Sequence, residues 1–519
     1  MATLIQPHAD VKPDQAALTD EFGSTSWQDF NGRVNQLIHA LRAAGLQTGD
    51  TISVLSGNRR EYFEAYAAAT HAGWLLVPIN WHLVSAEVAY VLRDSASKAL
   101  LVDQRFLELG LASVMHQDSP ELTSCLMFGE AVAGFDQYDE FLKGQSETEP
   151  DNQSLGGPMF YTSGTTGKPK GVKSGMSQTG APIETMKMIG EGLSGMLSMP
   201  NGGTTLLVGP VYHSAQWAFS FLPLIAGSSV VMRHKYDAKE TLDLIDAHQI
   251  TNIHLVPTQF IRMLRLDEAG KADFRGDSLE IVWHGAAPCP PDVKRSMIEW
   301  WGPKISEYYG STEGSIVTTV NSREWLDKPG TLGKPVAIMQ VLVIKEDGSE
   351  AKTGESGTLY VKNLMGSDFE YHNDPDKTSS AHLEPGVFTF GDIGYLDEEG
   401  YLYMSDRKID MIISGGVNIY PAEIEAVLIN HPKIIDAAVF GIPNEEFGEE
   451  VKGAVELIDG ISGSAELAEE LISHCKQNLA NFKAPRSIDF VDAMPRYPTG
   501  KLLKRLLRDK YWQDTGRRI

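Results

Sequence analysis

The chain is poor in cysteine, poor in positive charge, and carries no unbroken apolar run long enough to cross a membrane. Its 519 residues include three cysteines, Cys125, Cys289 and Cys475, far apart and with no CxxC spacing. That argues against a disulfide framework and against a thiolate zinc site, and fits the reducing cytoplasm. Lys and Arg total 45 against 69 Asp and Glu, a formal net charge of −24. Such a chain is a poor partner for nucleic acid or for an anionic membrane surface. The stretch 217–232 is the most apolar, but Ser220, Pro223, Gly227, Ser228 and Ser229 interrupt it. A membrane helix takes about 20 mostly apolar residues, so a buried helix, a Gly-Ser turn and a strand are expected there instead. The opening MATLIQPHAD has neither a basic nor an apolar leader region, so no secretory signal is expected.

Hydrophobic residues at 42% and charged residues at 22% are ordinary globular values and exclude wholesale disorder. The length exceeds that of one ordinary domain. Segments 31–44, 61–72 and 86–93 carry apolar residues at helical spacing, and 51–55, 74–79 and 99–102 read as short buried strands. The alternation continues through strands at 204–208, 229–232, 253–256 and 281–283, which predicts parallel sheets covered by helices. Beyond about 330, strands at 341–344, 357–361 and 401–403 with Gly- and Asp-rich turns predict a β-rich subdomain. The last stretch suggests helices at 422–430 and 465–479 and strands at 437–441, 451–456 and 487–491. The fold class expected is α/β: a large N-terminal domain of helix-covered sheets with a β-rich subdomain, then a small α+β C-terminal domain. The polar segment 144–154 reads as a surface loop.

Residues 161–172 read Tyr-Thr-Ser-Gly-Thr-Thr-Gly-Lys-Pro-Lys-Gly-Val. Gly164 and Gly167 allow a tight turn and close ligand approach. The hydroxyls of Thr162, Ser163, Thr165 and Thr166, with the turn N–H groups, make an anion nest. Lys168 and Lys170 add positive charge in an acidic chain. The loop is suited to a polyphosphate. It is not a Walker A loop, because Thr162 stands where the first Gly belongs and Pro169 where Ser or Thr follows the Lys.

Seven further strings follow. Tyr212-His213-Ser214 comes after the strand at 204–208; a lone histidine at such a place is commonly a satisfied interior residue. His284-Gly285-Ala286-Ala287-Pro288 comes after the strand at 281–283, and small residues there let a flat ring lie on backbone at a strand end. In Tyr308-Tyr309-Gly310-Ser311-Thr312-Glu313, an aromatic beside glycine can stack on a purine. A Thr hydroxyl can bond phosphate, and the carboxylate can hold Mg²⁺, which takes one or two carboxylates plus substrate phosphates. Asp392, in Phe390-Gly391-Asp392-Ile393-Gly394, can accept from both hydroxyls of a ribose. Toward the C-terminus stand Arg407 in Ser405-Asp406-Arg407-Lys408-Ile409-Asp410, Gly415-Gly416 in a Ser-Gly-Gly-Val-Asn run, and Lys501 in Pro498-Thr499-Gly500-Lys501.

In this order across 161–501, these strings resemble the adenylate-forming superfamily: acyl-CoA and aryl-CoA synthetases, firefly-type luciferases and peptide-synthetase adenylation domains. Bacterial fatty-acid, bile-acid and aryl-acid CoA ligases are the nearest in pattern. The resemblance implies ATP, Mg²⁺ and coenzyme A as cofactors or co-substrates. It implies phosphate binding by 162–168, with Thr166 catalytic, and an adenine slot formed by Gly285, Ala286, Ala287, Tyr309 and Gly310. Thr312 would contact phosphate, Glu313 would hold the metal, and Asp392 and Arg407 would bind ribose. Gly415 and Gly416 would face the pantetheine arm, His213 would gate the acid pocket, and Lys501 would be the catalytic lysine. It also implies domains 1–406 and 407–519, the second mobile about a hinge at 406–410, and a possible homodimer. Two departures stand out. The residues before Gly391-Asp392 keep only Phe388 of the Trp-Phe-x-Thr string common in the superfamily, and the hinge position usually Lys or Asp is Ile409.

By position, the acid pocket would be lined by His213, Ala215, Gln216, Trp217, Phe260, Trp283, Gly285, Gly310, Ser311 and Ile316. The set is largely apolar and aromatic. Amino-acid-activating members of the superfamily that the chain resembles place an Asp in the 215–217 region to hold the α-amine; here it holds Ala215, Gln216 and Trp217, which argues against amino-acid substrates. A hydrophobic monocarboxylate is therefore expected, converted through its acyl-adenylate to a CoA thioester by a cytoplasmic ligase. The alternative is a stand-alone adenylating enzyme that loads the acyl group onto a separate carrier protein.

Overall fold

The computed structural model describes residues 4–162, 169–175, 179–407, 410–414, 417–444, 447–496 and 502–512. Two helix-covered sheets dominate the large N-terminal domain. The first has six strands in the order Asp136–Gln137, Ser124–Phe128, Ser97–Asp103, Thr51–Leu55, Leu75–Pro78, Gly157–Pro158, and every neighbouring pair is parallel. Thr51–Leu55 is buried at all five positions, as a central parallel strand covered on both faces must be. The second sheet has nine strands: Lys334–Pro335, Ser315–Val320, Ile305–Ser311, Ile281–His284, Asn252–Leu255, Thr204–Leu207, Ser229–Met232, Ala16–Asp20 and Gly23–Ser26. Its centre is parallel and its two margins are antiparallel.

The alternating pattern is thus realised as parallel sheets, and helices at Trp27–Ala43, Arg60–Ala72 and Ser85–Asp94 cover the expected segments, the first beginning about one turn earlier than its apolar spacing suggests because Ser26 caps it by accepting from the Asp29 N–H. The apolar stretch 217–232 folds as the helix Ser214–Ile225, a turn, and the strand Ser229–Met232. Among the described residues no helix is long and apolar enough to cross a membrane. The polar segment 144–154 is a loop strapped along the helix Trp27–Ala43. Asn35 donates to the Glu147 carbonyl at 2.8 Å, Asn31 to the Glu149 carboxylate at 3.0 Å, and Arg42 to the Asp151 carbonyl at 2.7 Å.

A five-stranded antiparallel sheet follows, built on Met339–Ile344, Gly357–Asn363 and Val387–Leu396, with His382–Glu384 and Leu402–Arg407 both paired to the last of these. It is the expected β-rich subdomain. The small C-terminal domain has its own sheet, Val417–Ile419, Ile412–Ser414, Gly448–Leu457, Ile434–Asn444, with Ser487–Val491 parallel to Gly448–Leu457. Its separate core gathers Ile412, Ile424, Leu428, Val439, Val455 and Leu471. Arg265 of the large domain donates to the Ile434 carbonyl at 2.7 Å, and Asn430 donates to Asp292 at 2.8 Å.

One buried charge pair lies under the sheet. Lys294 Nζ is 2.6 Å from Glu307 Oε2, and Lys294 is fully buried. Burial pushes the Glu307 carboxyl upward while the Lys294 ammonium opposes it. Removing one partner leaves an uncompensated buried charge, so Lys294→Met is expected to cost about 3–5 kcal/mol of stability. The double change Lys294→Met with Glu307→Leu should recover most of it in urea unfolding. A double variant no more stable than the single one would refute this account.

Candidate active site

The strands Ile281–His284 and Ile305–Ser311 run parallel and adjacent, with His284 opposite Glu307. The strings 285–287 and 309–313 therefore emerge side by side at strand C-terminal ends, where open α/β sheets place ligands. The first strand runs through His284, one residue further than its apolar core predicts. Alternation then divides it: Ile281 and Trp283 face one core cluster, Val282 and His284 another.

At the end of Ile305–Ser311 the pairing with Ser315–Val320 shifts between Tyr309 and Gly310. The chain then turns tightly. Ser311 Oγ accepts from the N–H groups of Glu313 and Gly314, both at 3.1 Å, and Ser315 has φ of 60°. A Cβ on Gly310 would lie 2.0 Å from the Ser315 carbonyl oxygen, so no other residue fits. Tyr309 donates its phenol proton to Asp392 Oδ2 at 2.6 Å across 83 residues of sequence, and both side chains are buried. Asp392 in turn is the register partner of Arg407 between Val387–Leu396 and Leu402–Arg407. One hydrogen bond and one strand pairing thus collect three residues that the sequence singles out separately. The Arg407 side chain lies outside the described residues.

Gly285 lies against Tyr308: a Cβ there would come 2.6 Å from the ring and 2.8 Å from the carbonyl oxygen of that residue. Ala286 has φ of 65°, the left-handed region. Gly285→Ala is expected to cost about 1–3 kcal/mol by overpacking, read as a lower denaturation midpoint. An unchanged midpoint would mean that Tyr308 moves freely.

His213 stands at the N-cap position of the helix Ser214–Ile225 without a side-chain capping bond, its ring against Tyr212 at 4.4 Å. Ser214 Oγ lies 2.9 Å from Thr312 Oγ1, joining that helix start to the 309–313 turn. Ala215, Trp283 and Ile316 share one cluster with Tyr308 and Tyr309, and Gly310 is the register partner of Ile316, beside Ser311. Gln216 is buried and bonds His254 Nδ1 at 2.9 Å, while His254 Nε2 bonds the Tyr308 hydroxyl at 3.1 Å. Burial pushes His254 down to about 3, so the relay is neutral.

Two expected lining residues are not brought to this cluster. Trp217 stands two residues past Ala215 on the same helix, which turns it to the other side, against Tyr66, Phe160 and Phe221. Phe260 packs on His284, across the sheet from Trp283.

Thr162 ends the strand Phe160–Thr162, which pairs antiparallel with Lys170–Lys173, Thr162 opposite Lys170. Ser163, Gly164, Thr165, Thr166, Gly167 and Lys168 lie outside the described residues, as do Gly415, Gly416 and Lys501. The charge of Lys170, expected to serve the loop, is met by Asp374 at 2.8 Å. Asp374 caps the helix Pro375–Ala381, and an Asp-Pro start of this kind is legible in sequence. Tyr371, just before it, donates to Glu313 Oε1 at 3.0 Å; nothing local in the sequence signals that bond. Among the described residues no cluster of three His, Cys, Asp or Glu could hold a metal. A single carboxylate at Glu313 nevertheless suits Mg²⁺, which fills the rest of its shell with phosphate oxygens and water.

The AMP-binding enzyme family model matches residues 5–365, and the AMP-binding enzyme C-terminal domain model matches 423–501. The chain is 31% identical over 529 aligned positions to a fatty acid–[acyl-carrier-protein] ligase of Streptomyces coeruleorubidus, covering 100% of this chain and 98% of the relative. It is 32% identical to an indoleacetate–CoA ligase of Aromatoleum aromaticum, covering 96% of each. Among solved structures, o-succinylbenzoate CoA synthetase of Bacillus subtilis in complex with its acyl-adenylate intermediate aligns with a TM-score of 0.81 at 27% identity, covering 98% of both chains. With both family models matched in order, and with relatives and fold agreeing over nearly the whole length, the chain belongs to the AMP-binding enzyme family of the adenylate-forming superfamily and is an AMP-forming ligase.

Proposed function

We propose that the chain is an acyl-CoA synthetase that adenylates a hydrophobic monocarboxylic acid with ATP and then transfers the acyl group to coenzyme A. The observation that carries this reading is the hydrogen bond from Tyr309, near the C-terminal end of Ile305–Ser311, to Asp392 within Val387–Leu396. It sets a flat aromatic ring and a buried carboxylate side by side, beside the Gly285 wall, as an adenosine requires.

A carboxylate is a poor electrophile, and bringing it to the α-phosphate sets anion against anion. Catalysis is then positioning and charge stabilisation more than proton transfer. Tyr309, with Gly285, Ala286 and Ala287, holds adenine; Asp392 and Arg407 hold ribose. The loop 162–168 holds the β- and γ-phosphates, Thr166 among its ligands, and Thr312 contacts phosphate. Lys501 bridges the acid carboxylate and the α-phosphate. Glu313 would hold Mg²⁺, which when bound would neutralise phosphate charge. His213, Ala215, Gln216, Trp283 and Ile316 face the acid. The second half-reaction requires Lys501 to leave and a thiol to enter. In our reading the domain 407–519 swings about 406–410 and brings Gly415-Gly416 to the pantetheine arm, a conformational step of the kind that often limits turnover.

The mostly apolar cluster of Ala215, Trp283, Ile316, Tyr308 and Tyr309 supports an apolar acid, fatty or aryl. A second reading, transfer to a carrier protein, is favoured by the likeness to the acyl-carrier-protein ligase along the whole chain. ATP–pyrophosphate exchange against a panel of fatty, aryl, alicyclic and sterol side-chain acids tests adenylation; no exchange with any of them would refute the ligase reading for this substrate class. AMP release that depends on CoA supports the first acceptor, and release only with an acyl-carrier protein supports the second.

A further inference from the structure

We propose that Tyr371 is a positioning residue for Glu313, fixing one carboxylate oxygen so that the other is presented to the metal; this rests on the metal role assigned to Glu313 above. The phenol donates to Glu313 Oε1 at 3.0 Å from 58 residues away. Glu313 projects from the turn 311–315 on a side chain with three rotatable bonds, and such a side chain gives up rotamer freedom only when something holds it.

Tyr371 is itself held firmly. It lies on the short strand Glu370–Tyr371, in register with Val172 of Lys170–Lys173, the strand that leaves the phosphate loop. Its N–H donates to Thr378 Oγ1 at 2.9 Å. Its ring meets Phe369 edge-on at 5.2 Å, and the Lys377 ammonium sits 4.0 Å from the ring centroid. Three residues on, Asp374 takes the Lys170 ammonium at 2.8 Å. One short segment, 369–378, therefore clasps both the loop's exit strand and the acidic residue of the 309–313 string. A carboxylate ligand is normally oriented by an outer hydrogen bond of this kind, and losing such a partner typically costs about 10–100-fold in metal affinity.

The test is Mn²⁺ binding to the full chain with a non-hydrolysable ATP analogue, followed by the electron paramagnetic resonance of free Mn²⁺. Tyr371→Phe keeps the ring and removes only the donor. Mn²⁺ should bind about 10-fold more weakly to it, with an unchanged unfolding midpoint. The Mg²⁺ needed for half-maximal exchange should rise in step, with the acid KM unchanged. On a Glu313→Gln background, Tyr371→Phe should add nothing further to the loss of Mn²⁺ affinity, because residues that act through one another are not additive. Unchanged Mn²⁺ affinity in the single variant, or full additivity in the double, would overturn the proposal. The titration needs no acid substrate, so a chain that binds Mn²⁺ and nucleotide but exchanges with none of the acids in the panel would refute the proposed substrate class while leaving this result to stand by itself.

Discussion

Lys501→Ala is expected to reduce acyl-adenylate formation by about 100–1,000-fold, the usual loss when one preorganised donor to transition-state charge is removed. Thioester formation from supplied acyl-adenylate and CoA should stay within about 3-fold of wild type, because no phosphate charge remains to be bridged in that step. The contrast follows from the chemistry. The first half-reaction brings a carboxylate to a polyphosphate in a chain of net charge −24, so a local cation there is worth more than on an ordinary surface. The second presents a thiol to a mixed anhydride that is already activated. The two half-reactions are measured separately, by pyrophosphate exchange and by CoA-dependent consumption of synthetic acyl-adenylate. Equal loss in both would contradict the assignment of Lys501 to adenylation alone, and with it the two-conformation cycle.

Asp392→Ala is expected to raise the ATP KM in exchange about 100-fold. Hydrogen bonds to a charged group contribute roughly 1.5–3 kcal/mol each, and the proposed ribose contact supplies two. The same carboxylate accepts the Tyr309 phenol at 2.6 Å, so its removal also frees the ring proposed to stack on adenine. Asp392→Asn keeps the shape and one acceptor oxygen and should fall between alanine and wild type. The acid KM should move little in either variant. An ATP KM within about 2-fold of wild type for the alanine variant, with the fold intact by circular dichroism, would remove Asp392 from the nucleotide site; that threshold is well below the cost of losing even one such bond.

The elements legible from sequence are those whose signal is local. Ser229–Met232 and Ser487–Val491 match their apolar runs to the residue, and Arg60–Ala72 and Ala465–Asn478 match their periodicity within one residue. The short strands Gly23–Ser26, Lys334–Pro335 and Glu370–Tyr371 have no such signal. Gly23–Ser26 pairs with Ala16–Asp20 just before it, whereas Lys334–Pro335 and Glu370–Tyr371 exist because Ser315–Val320 and Lys170–Lys173 offer unpaired N–H and C=O groups, which is tertiary information. The site divides the same way. The strings around Gly285, Tyr309 and Asp392 are readable because backbone chemistry restricts what can stand there. The side-chain pocket is less so. Ala215 and Trp217 are close neighbours in sequence, and only the phase of the helix sends one to the cluster with Trp283 and the other to Tyr66. Phe260, on the helix Pro257–Leu264, packs on His284, which strand alternation turns away from Trp283. The bond from Tyr371 to Glu313 could not be read, since 58 residues separate its ends.

The walls of the proposed adenine slot at Gly285 and Gly310 leave no room for a side chain: a Cβ at Gly310 would lie 2.0 Å from a carbonyl oxygen, and one at Gly285 2.6 Å from the Tyr308 ring and 2.8 Å from its carbonyl oxygen. The proposed acid side, by contrast, consists of side chains at Ala215, Trp283 and Ile316, which share one cluster. The two halves should therefore differ in how they diversify. A library randomised at these three positions can change which acid is taken while the protein still folds and still uses ATP. A library at Gly310 should return almost only glycine, and one at Gly285 should admit alanine only at the stability cost given above. Nucleotide choice is in this sense inherited with the fold, and acid choice is left open to point mutation.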